Sequence, residues 1–273
     1  MATITPPPSQ AALPRARGEL RLRVRAPAGL ESLRQSGSLR CLFPRKYGDS
    51  GEAVLINTAG GITGGDLFTI SATAGENSAL TLTTQAAERA YRSNQNDAGR
   101  METRLQAAGG ARLNWLPQET ILFEGCHFER RLRVDLAPGA SALVVEPLVF
   151  GRVEMGEALE DIRFRDRIDI RRNGRPLFLD AMRISGNARA MLALPHTAAG
   201  ARALATLIFV AREAEGLLEP LRGMLPETGG ASLVRRDVLV LRMLATDSLA
   251  LRKHLIPILD LLTGQKLPKC WTL

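Results

Sequence analysis

Up to about residue 200 the chain is written in short apolar runs, each closed by Gly, Pro or Asn, with no long helical pattern between them. Glu19 to Arg25 (ELRLRVR) sets the type. Leu20, Leu22 and Val24 alternate strictly with Arg21, Arg23 and Arg25, the period of a strand with one buried face. Similar runs lie at Leu39–Phe43, Ala53–Ile56, Leu67–Thr73, Ser78–Thr84, Met101–Leu105 and Ala111–Leu116. They continue at Thr120–Phe123, Arg131–Leu136, Ala142–Glu146, Asp161–Ile170 and Pro176–Ile184. Strands recurring in this way predict an all-β architecture. A sandwich, a barrel and a β-helix-like stack all fit the spacing, and no short repeat selects among them.

Past about Ala198 the pattern changes. Ala201–Ala211 reads as an apolar strand, Gly216–Met224 is helical in spacing despite Pro220, and Leu233–Leu244 again alternates in part. Asp247–Leu262 is the best helix in the chain. Asp247 or Ser248 caps it, apolar residues recur at three and four, Pro257 is placed to kink it, and Gly264 follows as a stop. Residues 1–18, with Pro6, Pro7 and Pro8 and no apolar core, read as a disordered Pro-rich tail and not as a signal peptide. The remainder, 19–273, reads as one domain: a strand stack to about 200, then the mixed strand and helix segment 201–273.

The first strand-like runs enclose NTAGGITGGD, Asn57 to Asp66, in which four glycines bracket only Ile62 and Thr63. Such a density of glycine weakens a chain unless positive φ or close approach is required. A phosphate-binding loop of this kind needs a lysine and a following helix. Here Asp66 stands in place of the cation and a strand follows, so a tight sheet turn is expected, open to the approach of a partner or an ion. The segment TTQAAERAYRS, Thr83 to Ser93, is dense in hydrogen-bonding groups. One reading is a short capped helix or turn with Glu88 and Arg92 paired at i, i+4; another is a polar network lining an internal passage or contact surface.

The 273 residues are 45% hydrophobic and 23% charged, ordinary values for a globular protein, and contain no apolar run of the roughly 18 residues that a transmembrane helix needs. Cys41, Cys126 and Cys270 are odd in number and widely separated, which argues against a disulfide framework and for a reducing, cytoplasmic compartment. The net charge of +8 invites a nucleic-acid reading, but the basic residues are dispersed and alternate with apolar ones, and aromatics are only 4%. No nucleic-acid partner is therefore expected; a basic surface that meets acidic protein partners stays open. His127, His196 and His254 lie in unrelated segments, and no His/Cys spacing matches a tetrahedral site, so no tight metal site and no tightly bound cofactor is expected. The chemical candidates left are the carboxylates Asp66, Glu88, Glu119, Glu124, Glu146, Glu154 and Glu157. Two of them flanking a groove would make a β-helix-type carbohydrate-active enzyme, the alternative to a non-enzymatic role.

Five segments, NTAGGITGGD (57–66), TTQAAERAYRS (83–93), LPQETILF (116–123), EPLVFGRVEMGE (146–157) and LPKCW (267–271), together resemble the urease accessory protein UreD family in order and spacing. The resemblance runs from about Gly18 to Trp271. It implies a mainly β fold, a β-helix-like stack of short strands with a few helices, chiefly C-terminal. It implies a scaffold and not an enzyme, one that binds the urease apoprotein and UreF, which in turn docks the GTPase UreG, and that delivers nickel to the urease active site through an internal polar tunnel. Nickel would pass transiently, on oxygen ligands and water that release it. The acids inside matching motifs, Asp66, Glu119 and Glu146, are the expected tunnel contacts, with Thr84, Gln85, Tyr91 and Gln118 as polar lining. Leu255, Ile258 and Trp271 are the expected apolar anchors for a partner. The tail carries Lys269–Cys270 where the family often has an arginine and an aliphatic residue.

Overall fold

The computed structural model describes residues 14–26, 29–44, 51–94, 97–152 and 155–272. Most of the proposed Pro-rich tail lies outside them, and so does Glu154. Arg17 and Gly18, assigned to the tail from sequence, already belong to the first strand.

β1 (Arg17–Arg25) and β2 (Gly29–Gly37) form a bulged antiparallel hairpin, and β3 (Leu39–Leu42) turns antiparallel onto β4 (Gly51–Asn57). From β4 onward the chain steps between two sheets. β5 (Leu67–Ala74) lies in one, β6 (Ala79–Thr84) and the short β7 (Glu88–Ala90) in the other, and β8 (Gly99–Ala107) back in the first. β9 (Arg112–Leu116) and β10 (Thr120–Leu122), β11 (His127–Leu136), β12 (Ser141–Phe150) and β13 (Ile162–Arg172) continue the alternation. Each strand pairs in parallel with the one that occupied the same sheet a turn earlier, as β5 with β8 and β8 with β11. The result is a β-solenoid-like stack of about four turns, the β-helix-like alternative among the three that the spacing allowed.

An antiparallel strand, β14 (Arg175–Gly186), closes the smaller sheet, whose order is β14-β13-β11-β8-β5-β1-β2. After the short α1 (Ala188–Ala193), β15 (Ala203–Val210) extends the larger sheet. Helix α2 (Ala214–Arg222) and the hairpin of β16 (Gly229–Arg235) and β17 (Val238–Ala245) follow, so the sequence run at 233–244 is two strands. The larger sheet reads β16-β17-β15-β12-β9-β6-β4-β3, with β10 attached to β12 and β7 to β10. Helix α3 (Ser248–Thr263) is capped by Asp247, whose carboxylate accepts the Ala250 N–H at 2.7 Å, and stopped by Gly264 in the left-handed region.

Two cores result. Between the sheets, alternate residues such as Leu20, Leu22, Phe68, Leu105, Val134 and Val144 meet. The second lies on the outer face of the larger sheet, where Leu143, Val145, Leu207 and Leu241 pack against Leu251, Leu255, Ile258 and Trp271. The smaller sheet is buried on one face only, and its strands accordingly alternate. Two elements were not legible in sequence. β2 is exposed along almost its whole length and so lacks a hydrophobic alternation. α1 is a six-residue helix whose Asn187 cap accepts the Ala190 N–H at 2.8 Å. The segment 83–93 is not a helix. It finishes β6, forms β7 and ends in a bridge between Arg92 and Cys126, because its backbone groups pair with neighbouring strands.

Candidate functional site

The glycine-rich loop is a sheet turn, as expected, and it fixes the neighbouring motif. Ile62 donates its N–H to the Arg89 carbonyl and accepts from the Tyr91 N–H, both at 2.7 Å, so the loop adds a rung beside β7. Gly61 is required for this approach, since a Cβ there would lie 2.2 Å from the Tyr91 ring. Gly65 has φ +83. The carboxylate of Asp66 is consumed by the turn. One oxygen accepts the Ala16 N–H at 2.7 Å and the other the Thr63 N–H at 2.8 Å, which ties the start of β1 to the loop.

Between the sheets, beside this ladder, lies a cavity of about 370 Å³. Its outer wall is the β6–β7 connection, where Gln85, Ala86 and Arg89 are exposed, so the cavity opens to solvent there. Its inner wall is built from β8, β9, β11 and β12, through Thr103, Trp115, Arg130 and Glu146. Arg130 projects from the smaller sheet at the same parity as Phe128, Leu132 and Val134, and Glu146 from the larger sheet at the parity of Ala142, Val144 and Leu148. The two side chains form an ion pair across the sandwich. Arg130 also grips Asp166, its register partner on β13, through two bonds of 3.0 and 2.6 Å, and reaches the Thr120 hydroxyl at 3.2 Å. Trp115 donates its indole N–H to Glu146 at 2.8 Å.

This cluster holds one largely buried guanidinium against two largely buried carboxylates. Burial pushes the Glu146 carboxyl up to about 7, against the opposing pull of Arg130. Burial works against the charged form of Arg130 too, but Asp166 and Glu146 outweigh it and leave its pKa above the ordinary value. Glu88, on the wall nearer the opening, is likewise raised by burial despite hydrogen bonds from the Asn57 amide at 3.3 and 3.2 Å. Glu146 is therefore poised near neutrality to exchange a proton or to meet a cation.

The loop between β9 and β10 forms another part of the wall and is latched from outside by the C-terminal segment. Arg252 of α3 donates to the Gln118 side-chain oxygen at 2.7 Å, to Glu119 at 3.1 and 3.3 Å, and to the Trp271 carbonyl at 2.6 Å. Ser248 adds a bond to Glu119 at 3.0 Å, and the Trp271 indole donates to the Leu116 carbonyl at 3.0 Å. Gln118 lines the cavity, and with its oxygen engaged by Arg252 its buried amide nitrogen has no hydrogen-bond partner among the described residues.

Of the residues expected to line a passage, Glu146, Thr84, Gln85 and Gln118 do line the cavity. Asp66, Glu119 and Tyr91 do not. Asp66 and Glu119 are spent on the contacts above, and Tyr91 packs edge-on against Phe123 and donates its hydroxyl to the Gly60 carbonyl at 3.2 Å. Two further carboxylate candidates are also structural, Glu124 accepting the Glu160 and Asp161 N–H groups and Glu157 pairing with Arg152. Leu255, Ile258 and Trp271 are not surface anchors. Each is fully buried in the second core, because the apolar stripe of α3 is turned onto the larger sheet; Leu249 and Leu261 are its exposed apolar residues. Glu88, one of the carboxylate candidates, also lines the cavity, while Asn57, Trp115, Arg130 and Asp166 complete the cavity and its cluster and were not expected as site residues. Among the described residues no group of three or more His, Cys, Asp and Glu side chains is placed to hold a metal ion, and no helix is long and apolar enough to cross a membrane.

Fold and site together define a β-solenoid scaffold with a polar cavity enclosed between its sheets. Residues 15–272 match the family described as UreD urease accessory protein. The chain is 54% identical over 246 residues to the urease accessory protein UreD of Ruegeria pomeroyi, covering 90% of this chain and 96% of the relative. It is 51% identical over 263 residues to that of Roseobacter denitrificans, covering 95% and 96%, and 44% identical over 248 residues to urease accessory protein UreD 1 of Brucella abortus, covering 89% and 88%. The chain belongs to the UreD family of urease accessory proteins. These are non-catalytic maturation factors, and the carbohydrate-active alternative falls.

Proposed function

We propose that this chain serves urease maturation as a scaffold that binds the urease apoprotein and a UreF–UreG complex, and that its interior cavity passes nickel toward the urease active site. The observation that carries the reading is the cavity itself: a solvent-accessible space of about 370 Å³ whose wall includes the carboxyl groups of Glu88 and Glu146. Carboxylate oxygens and water suit a hard or borderline cation held briefly, whereas a thiolate and imidazole cluster would retain it. Glu146 offers this only by exchanging part of its bonding to Arg130 and Trp115, so the ion-paired cluster acts as a gate whose charge depends on a proton. Nickel is cargo here, and GTP hydrolysis is left to UreG. The reducing cytoplasm is the compartment consistent with three free cysteines.

The test is reconstitution of urease from apoprotein, nickel, bicarbonate, GTP, UreF and UreG, with and without this chain. Activation that depends on the chain is expected. Equal activation in its absence would remove the scaffold reading.

A further inference from the structure

The smaller sheet leaves its outer face bare, since helices α2 and α3 pack on the larger one. The charged residues that point outward from β8, β11, β13 and β14 are mostly cationic, and every cation on these four strands is arginine. Only four of the 36 basic residues in the chain are lysine.

Register brings four of these arginines together. Arg131 of β11 lies directly opposite Arg167 of β13, and Arg165 of β13 directly opposite Arg183 of β14. Like charges facing each other across a strand pair destabilise the sheet. Local neutralisation is incomplete. Glu129 is shared between Arg165 at 3.5 Å and Arg100 at 3.4 Å, while Arg131, Arg167 and Arg183 have no acid within ion-pair distance among the described residues. The four side chains, together with Glu129, line a shallow hollow of about 410 Å³, where Ala181, opposite Arg167, leaves room between them.

We infer that this hollow is a docking site for a carboxylate-rich segment of a partner protein. Arginine forks bind carboxylates in pairs, and arginine is enriched and lysine depleted at protein interfaces. Leu179, 55% exposed and two residues from Ala181 on the same strand, gives the site an apolar rim. The four strands expose no aromatic side chain on which bases could stack, which favours a protein over single-stranded nucleic acid. The inference is independent of nickel passage and would survive its failure.

The probe is a labelled polyglutamate peptide of about twenty residues, titrated into the full chain at several salt concentrations and compared with duplex DNA and with phosphatidylserine vesicles. The triple variant Arg131→Gln, Arg167→Gln, Arg183→Gln should weaken peptide binding at least about tenfold. A control triple with the same change of charge at exposed positions elsewhere, Arg189→Gln, Arg212→Gln, Arg235→Gln, should stay within about twofold. Removal of facing like charges should leave the melting temperature of the first triple unchanged or raised. If that triple fails to fold, the Lys triple at the same positions, which keeps the charge and loses the forks, is expected to weaken binding about threefold. Equal weakening by both Gln triples, a Lys triple that binds as the parent does, or tighter binding of DNA or vesicles than of polyglutamate by the parent chain would overturn the inference.

Discussion

Replacing Arg130 by Met should be among the most damaging single changes in the interior. Arg130 is 5% exposed and is the shared cation of Glu146 and Asp166, with two bonds to Asp166 at 3.0 and 2.6 Å. Methionine fills part of its volume but leaves two buried carboxylates without their counter-charge. Breaking a buried pair by deleting one partner costs about 3–5 kcal/mol, a large share of the 5–15 kcal/mol that holds a typical domain. The loss also has a signature in pH. Without the opposing pull of Arg130 the Glu146 carboxyl, already raised by burial, has its folded-state pKa raised further above its unfolded value. A raised folded pKa contributes stability that is present below the unfolded pKa and disappears as pH rises through the folded one. The penalty of Arg130→Met should therefore shrink on acidification from pH 7 toward pH 4. Urea unfolding followed by the fluorescence of Trp115 and Trp271, both buried, reads it directly. Adding Glu146→Gln to Arg130→Met should restore part of the loss at pH 7. A penalty below about 1 kcal/mol, or one that does not change with pH, would refute the assignment of Arg130 as the buried counter-ion.

Further outcomes follow from other parts of the structure. Burial pushes the Glu146 carboxyl up from its ordinary 4.5 to about 7, so parent stability should fall relative to Glu146→Gln as pH rises through that range, with a slope of at most about 1.4 kcal/mol per pH unit in urea unfolding. Gly61→Ala places a methyl 2.2 Å from the Tyr91 ring and should cost about 1–3 kcal/mol in the same assay. Leu255→Ala should cost about 2–5 kcal/mol, whereas Leu249→Ala, at a position 66% exposed, should stay within about 0.5 kcal/mol, since only the first lies in the second core.

Much of this architecture is legible in the alternation of the strands, because each strand of the smaller sheet buries one face and its sequence repeats that fact. The same parity carried information about the site that motif matching passed over. In FERRLRVDL, Arg130 falls in phase with Phe128, Leu132 and Val134, and in FRDRIDI, Asp166 falls in phase with Phe164, Ile168 and Ile170. A charge at an inward position must find a partner inside, and these two find each other and Glu146. By contrast, Asp66 and Glu119 sit in conspicuous motifs but serve backbone amides and Arg252, a distinction that depends on which groups the fold brings near. The stripe at 251–262 is helical and apolar in sequence whether it faces a partner or the chain's own sheet; only the placement of β15 and β17 under it decides for burial. The register that sets Arg131 against Arg167 is likewise a property of pairing between distant segments.

The passage of nickel through the cavity is tested most directly by obstructing it. Ala87 lines the cavity on the β6–β7 connection and is only partly buried, so Ala87→Trp places an indole at the opening with little demand on the core. The measurement is the nickel content of urease per active site after reconstitution with parent or Ala87→Trp chain, alongside the affinity of each for UreF. Conduction through the cavity predicts a marked fall in nickel content with UreF binding unchanged. Full nickel occupancy with the obstructed chain would contradict it.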